Sequence, residues 1–183
     1  MEDAMPFRLP AFLRRPLLRA CFSVMNSRRP DMVIGGTERP YMRRWWLLPR
    51  NRWFNVYLHH FLRDDDDRAL HDHPWHSLSV LLSGQLIKTF APIPALAACP
   101  AHQRARSHAA GAIVWRGCRF AHRLALPLGS DLEPRPAVTL FIIGPRVREW
   151  GFWCPSSSPA GGWRPWRKFV APDDPGAVGP GCE

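Results

Sequence analysis

The stretch His71-Asp72-His73-Pro74-Trp75-His76-Ser77 is the most informative part of this 183-residue sequence. In an extended strand alternate side chains share a face, so His71 and His73 point the same way and Asp72 points the opposite way. A third imidazole, His122, follows later in the chain. If a neighbouring strand carries it to the same place, the three rings form a metal site with three nitrogen donors.

The same alternation continues beyond the histidines. Trp75, Ser77 and Ser79 fall on the histidine face, where small polar side chains leave volume for a ligand. The opposite face is apolar and carries Leu78, Val80 and Leu82. Because an apolar row is not stable against water, we expect another sheet, the N-terminal arm or a second subunit to cover it.

Further candidates for the lining of the substrate pocket come from neighbouring segments. Asn55, Tyr57 and His59 alternate along one side of a predicted strand, so they line the pocket if that side faces inward and form ordinary surface if it faces outward. Gln85 is a candidate from the strand after Ser79, and Val114 or Trp115 borders the pocket, depending on the register.

Charged side chains supply two more sets of candidates. Asp65 and Asp67 share strand parity with His71, so a loop carboxylate, Asp67 in particular, is an additional candidate ligand, whereas the alternative for 64–67 is a solvated turn. An acidic substrate would need a guanidinium partner. The arginines near the predicted strands are Arg52, Arg123, Arg146 and Arg148, and surface arginine is the default interpretation of each.

The spacing of these residues resembles that of the cupin superfamily. Its first motif reads G-x5-H-x-H-x3,4-E-x6-G and its second reads G-x5-P-x-G-x2-H-x3-N. His71, His73, Gly84, Gly111 and His122 fall in register with them. The positions that depart are Asp65 at the first glycine, Ser77 at the glutamate ligand, Gly117 at the proline, Arg119 at the second glycine and Leu126 at the asparagine.

The resemblance covers roughly residues 50 to 145. It implies an all-β fold, the double-stranded β-helix or jelly-roll barrel, here with a short basic helical arm at the N-terminus. It also implies a metal held by His71, His73 and His122, as in the three-histidine branch that includes the thiol dioxygenases. The chain is similar as well to small uncharacterised cupins of bacteria and phages that have an HDHPW segment and a later REWGF segment, here 148–152.

The pattern along the chain predicts three parts: a basic arm over 1–40, a barrel over 41–154 and a loop-like tail over 155–183 that packs on the barrel. In the arm we expect a helix that starts near Pro16, with an apolar stripe. The stripe consists of Leu17, Leu18, Cys21, Phe22 and Met25. The predicted barrel strands are 43–48, 53–62, 77–82, 85–90, 112–115, 122–126, 137–143 and 150–154, with a loop over 91–110.

Composition limits the classes of function. The net charge is +10, but the arginines are scattered, so nucleic acid is not a favoured partner. The five cysteines are odd in number and form no CxxC motif, which argues against a disulfide framework and a structural zinc site and favours a reducing cytoplasm. No stretch approaches the length of an apolar membrane span.

We therefore expect a cytoplasmic metal-dependent cupin acting on a small molecule, with Fe(II) favoured as the cofactor and Zn, Ni, Cu or Mn as alternatives. By resemblance the favoured activity is that of an iron-dependent oxygenase or dioxygenase. The alternatives are a non-redox isomerase or lyase and a ligand-binding or regulatory cupin without catalysis. A homodimer through the apolar outer face is also expected.

Overall fold

The computed structural model describes residues 4–65, 69–170 and 179–183 and shows two antiparallel sheets around a cavity. The helices are α1 (Ala11–Ser27) and α2 (Trp166–Phe169). The strands are β1 (Ala4–Arg8), β2 (Met32–Ile34), β3 (Met42–Trp46), β4 (Asn55–Phe61), β5 (Leu70–His71), β6 (Ser77–Ser83), β7 (Gln85–Phe90), β8 (Arg104–Ala109), β9 (Ala112–Arg116), β10 (His122–Ala125), β11 (Ala137–Ile143), β12 (Gly151–Cys154) and β13 (Gly162–Pro165). One sheet has the order β1-β9-β6-β11-β4-β3-β2 and the other has the order β13-β12-β5-β10-β7-β8.

This strand order is that of a jelly-roll barrel of the cupin type, so the predicted fold class is confirmed. The eight predicted barrel strands all form, with ends shifted by a few residues at most. The predicted turn at Gly84 joins β6 to β7, and its positive φ of 79° suits glycine because a side chain there is strained.

The prediction of a loop over 91–110 is wrong in its second half. The segment contains two short 3₁₀ helices, Pro94–Leu96 and Pro100–His102, and then strand β8. β8 pairs with β7 along its whole length, from Gln85 opposite Ala109 to Phe90 opposite Arg104. Its side chains are mostly exposed and have weak strand preferences, so cross-strand pairing at the sheet edge determines the structure there.

Helix α1 begins earlier than predicted, at Ala11 rather than near Pro16. The carbonyl of Pro10 accepts from the N–H groups of Leu13 and Arg14 and so starts the first turn, while Pro16 lies inside the helix. Most of the predicted apolar stripe packs on the barrel, but Phe22 is 42% exposed and Val24 takes its place in the contact. Among the described residues no helix combines the length and the apolar character needed to cross a membrane.

The N-terminal helix, one of the expected covers, packs over part of the apolar outer row of β6, in which Leu78 is half-buried. Leu82 is fully buried and packs with Val80 against Leu17, Cys21 and other α1 side chains. The guanidinium of Arg14 also donates to the Leu82 carbonyl at 2.7 Å. The helix therefore shields the part of this face formed by Val80 and Leu82.

The tail contacts the barrel, and it is not loop-like throughout because it forms β13 and α2. Phe169 stacks on Phe152 with ring centroids 3.7 Å apart, and Trp166 stacks on Trp150 at 5.6 Å. The boundaries between arm, barrel and tail, after residues 40 and 154, remain predictions.

The cysteine pattern argues against a disulfide framework, but the structure contains one disulfide. Cys154 at the end of β12 and Cys182 in the tail form a disulfide across 28 residues. An odd cysteine count does not exclude one pair, and these two cysteines meet only because the tail folds back on β12. Cys21, Cys99 and Cys118 are free thiols.

Candidate metal centre

Three imidazoles from two strands and a connecting loop meet at one wall of the barrel. His71 ends β5, and His122 at the start of β10 is its direct partner in the antiparallel pair. His73 lies just beyond β5, where the chain turns toward β6. The three ring centroids are each 5.1 Å apart, and one nitrogen of each ring lies within 4.8 Å of the other two.

The protonation of these rings suits metal binding. Burial lowers the pKa of His73 and of His122 well below the ordinary range, and neighbouring positive groups lower both further. Both rings are therefore neutral at physiological pH and bind a cation without first losing a proton. Nδ1 of His122 lies 3.4 Å from the Phe120 carbonyl oxygen, which can only accept a hydrogen bond. This contact favours the proton on Nδ1 and leaves the lone pair of Nε2 for coordination of the metal.

These observations match what a divalent metal requires. The donor set is three imidazole nitrogens, which suits divalent first-row transition metals. Asp65 lies beside the cluster, with its Oδ2 3.8 Å from Nδ1 of His71, so the expected approach of a carboxylate from the 64–67 segment is seen at Asp65. Asp67, the predicted extra ligand, lies outside the described residues.

Asp72, between two of the ligands, does not belong to the cluster. It is 1% exposed and points away from the cavity, as alternation predicts. Its carboxylate accepts hydrogen bonds from the Gly151 N–H at 2.9 Å and from Nε1 of Trp163 at 3.0 Å. Asp72 therefore fixes the ligand segment to β12 and the tail.

The imidazoles form part of the wall of a cavity of about 350 Å³. Its other walls combine apolar, aromatic and a few charged side chains. The remaining lining residues are Ile34, Tyr41, Met42, Arg44, His59, Phe61, Asp65, Pro74, Trp75, Ser79, Leu86, Arg116, Leu124, Thr139, Phe141, Trp150, Phe152 and Val170. This volume lies in the range of small-molecule binding sites.

Several of the predicted pocket residues lie at or next to this cavity. Trp75, Ser79 and His59 line it, so the polar side of β4 faces inward. Tyr57 is buried behind His59, with the two rings stacked at 6.0 Å. Ser77 is buried on the same face of β6, opposite Arg116 of β9.

Three other predicted pocket residues lie elsewhere. The Asn55 amide bonds to the backbone of Asn51 and shapes the turn before β4. Gln85 is exposed and donates to Ser107 across the β7–β8 edge. Trp115 is 38% exposed and stacks on His76 outside the barrel, because Val114 and Arg116 take the inward positions of β9.

The cationic groups of the cavity are two arginines that sequence reasoning did not select. Arg116 of β9 is 5% exposed, and Arg44 of β3 donates from Nε to Nε2 of His59 at 2.9 Å. Burial lowers the pKa of Arg116 to about 10, so its guanidinium stays charged at neutral pH. The alternation of side chains along β9 could have identified Arg116, because it places Arg116 on the same face as Val114. Which face points inward becomes clear only from the pairing of β9 with β6.

The arginines chosen from the sequence lie outside the cavity lining. Arg123 is exposed on the outer side of β10, and Arg52 stacks on exposed Trp53. Arg146 donates to the Arg148 carbonyl, and Arg148 pairs with Asp72. They lie outside because they are on loops or on outward strand positions.

Comparison with known proteins finds similarity to solved structures only. No protein-family profile and no curated protein matches the sequence. Among solved structures, oxalate decarboxylase of Bacillus subtilis has 17% identity over 69% of this chain, with a TM-score of 0.45, and the chain spans 30% of its length. The DMSP lyase DddQ from Ruegeria pomeroyi has 13% identity, covering 77% of this chain and 68% of its own, with a TM-score of 0.48.

A third structure, an uncharacterised protein with a double-stranded β-helix domain from Klebsiella pneumoniae, has 17% identity, covering 72% of this chain and 88% of its own, at a TM-score of 0.46. The Bacillus subtilis oxalate decarboxylase has Mn(II) centres. At such identities and scores these likenesses concern the fold alone. The strand order and the histidine cluster of this chain themselves define a cupin-type barrel with a three-histidine site for a divalent metal.

Proposed function

We propose that this chain is a metal-dependent enzyme that oxidises a small molecule with dioxygen, with Fe(II) held by His71, His73 and His122. The observation that carries the proposal is the position of the three ring nitrogens, within 4.8 Å of one another in the wall of a cavity large enough for a substrate. When bound, a ferrous ion supplies the redox chemistry that activates dioxygen. In a dioxygenase reaction both oxygen atoms of dioxygen end in the product.

The chain's own residues supply the environment for such a reaction. Phe141, Phe152 and Trp150 line the cavity near the histidines and limit the access of water to them. The hydrogen bond between Arg44 and His59 fixes both side chains at another part of the wall. A site with fixed polar groups and few waters favours a single substrate orientation.

A second candidate is a non-redox lyase or isomerase, which is favoured by the groups in the cavity that can exchange protons. Tyr41 and Asp65 line the same cavity as the histidines, so they are placed to move a proton to or from a bound molecule. This candidate requires a metal that acts only as a Lewis acid.

One experiment separates the two candidates. The full chain, stripped of metal, is loaded anaerobically with Fe(II) or with Zn(II) and incubated with a panel of thiols and carboxylic acids. Oxygen uptake with product formation, by the iron form alone, supports the oxygenase. Turnover without oxygen by the zinc form supports the lyase or isomerase. Failure of both forms to bind metal at the histidines contradicts both candidates.

A further inference from the structure

Three hydrogen-bond donors are buried in the cavity wall without a partner among the described residues. They are Nε of Arg116, Nε1 of Trp75 and the hydroxyl of Thr139. A buried donor that is not hydrogen-bonded costs free energy, so such groups in a binding cavity indicate a ligand that accepts hydrogen bonds. The Trp75 indole and the Arg116 guanidinium can only donate, so a ligand meeting them must present acceptor atoms.

The charges in the cavity favour an anion. Arg116 and Arg44 both line it, and within the described ranges neither forms an ion pair with a carboxylate. The one described acidic group in the lining is Asp65, which lies next to His71. Two guanidinium groups against one carboxylate leave an excess of positive charge, and a divalent ion at the histidines increases it.

The remaining walls are apolar. Part of the lining belongs to a hydrophobic core cluster with side chains from both sheets. Its members in the cavity are Ile34, Tyr41, Met42, Phe61, Leu86 and Leu124. A ligand that fills this space must therefore have an apolar body in addition to its charged group.

We infer that the cavity takes a small carboxylic acid, with its carboxylate against Arg116 and its apolar body among the side chains around Met42 and Phe61. This inference rests on the proposed function, because it names the substrate class of that same site. A planar guanidinium fits a carboxylate with two parallel hydrogen bonds, and Thr139 and Trp75 can donate to further acceptors of the molecule. A phosphate ester suits these walls less well, because its second charge is strongly hydrated and the walls around it are apolar.

The test uses carboxylic acids from acetate to decanoate and phenylacetate, each compared with its neutral amide, and inorganic phosphate as a further probe. Binding to the full chain is measured by calorimetry and thermal shift, in the metal-free and the Zn(II)-loaded forms. We expect at least one acid to bind about tenfold or more tightly than its amide, as a charge-assisted hydrogen bond allows. Equal affinity of every acid and its amide, or phosphate binding as tightly as the best acid, overturns the inference.

Variants assign the preference to a residue. Arg116→Gln should abolish the preference for acid over amide, Arg116→Lys should keep part of it, and Thr139→Val should weaken binding while keeping the preference. Arg123→Gln, at an exposed position of β10, is the matched control and should change nothing. If Arg116→Gln is folded by circular dichroism and still prefers the acid, the inference is wrong. If Arg116→Gln does not fold, Arg116→Lys is the deciding variant. A lysine ammonium cannot form two parallel hydrogen bonds with a carboxylate, so binding of the acid as tight as in the unsubstituted chain would contradict the inference.

The result of this binding test does not depend on whether the chain catalyses the proposed oxidation. An acid preference that the metal-free chain shows, and that Arg116→Gln removes, stands even if no metal binds and no oxygen is consumed. Conversely, oxygen uptake on a neutral substrate, with no acid bound in either form, supports the proposed function and overturns this inference.

Discussion

The carboxylate of Asp72 lies 2.8 Å from Nη1 of Arg148 and makes a partly buried ion pair between the ligand segment and the loop before β12. The same guanidinium donates to the Cys118 carbonyl at 3.2 Å, and the N–H of His73 donates to that carbonyl at 3.3 Å. One pair thus connects the segment of His71 and His73 to the loop that leads into His122. Asp72 and Arg148 are therefore placed to orient the ligand segment without being ligands themselves.

The first prediction concerns this pair. Asp72→Asn leaves Arg148 without its counter-charge and should lower the free energy of unfolding by about 1–3 kcal/mol, because the hydrogen bonds to a buried carboxylate are weakened while Arg148 keeps some contact with water. It should also weaken Zn(II) binding about 10- to 100-fold, because the ligand segment loses its anchor. Urea denaturation and metal titration measure the two effects.

The matched control is Asp131→Asn, which breaks the exposed ion pair with Arg135, where both side chains are about half exposed. A surface pair of this kind contributes about 1 kcal/mol or less, so stability and metal affinity should change little. Equal effects of the two substitutions would show that Asp72 is not an anchor.

A second prediction concerns Lys88, which is fully buried on β7 with its Nζ 5.0 Å from the Phe90 ring and 5.1 Å from the Phe120 ring. Burial lowers its pKa from 10.5 to about 6, and Arg116 and Arg106 contribute further. Between those two values the unfolded chain binds a proton that the folded chain does not, so Lys88 costs stability that is regained as the pH rises.

Lys88→Met removes the cost of releasing this proton on folding, so it should raise the free energy of unfolding at pH 7 by about 1–4 kcal/mol. The gain should shrink as the pH approaches about 10, where the unfolded lysine loses its proton. Lys168→Met, at the exposed second lysine, should be neutral at every pH. Denaturation curves from neutral to alkaline pH test this, and a gain that is constant with pH would contradict it.

Packing of α1 on the barrel gives a third prediction. Leu82→Ala removes a fully buried side chain under the helix and should cost about 2–5 kcal/mol, from lost burial and the cavity left behind. Leu128→Ala is the matched control, since that side chain is 59% exposed and should cost little. Thermal and urea unfolding measure both, and equal losses would mean that the helix does not cover this face in solution.

The buried histidines predict how the stability of the metal-free chain depends on pH. Burial lowers the pKa of His59, His73 and His122 well below 6.5, so below about pH 6.5 the unfolded chain takes up protons that the folded chain excludes. The free energy of unfolding should therefore fall as the pH drops from about 7 to 5. His59→Gln should show a shallower fall, and a stability that is flat over this range would contradict the burial of these rings.

The metal cluster could be predicted from the sequence because its signal is local. The alternation at His71 and His73 predicts their common face. His122 is selected by the resemblance to the second cupin motif, and the structure places it directly opposite His71. The result holds although β5 is only two residues long and His73 lies beyond it, since the backbone from 71 to 73 still brings both rings to one side.

The cationic side of the cavity could not be predicted, because it depends on register and on long-range folding. Arg43 and Arg44 are adjacent, and only the pairing of Arg44 with His59 determines which of them faces inward. Arg116 needed the pairing of β9 with β6, and the disulfide needed the return of the tail onto β12. Local sequence patterns carry no information about such contacts.

The most direct test of a three-imidazole metal centre is the metal content of the full chain, purified without a metal-binding tag and then loaded with Zn(II) or Fe(II). We predict one tightly bound ion per chain, and His71→Ala, His73→Ala or His122→Ala should each lose it. His76→Ala is the control at an exposed histidine of the same segment and should retain it. A chain that binds no ion, or triad variants that bind as much metal as the His76 variant, would contradict the account.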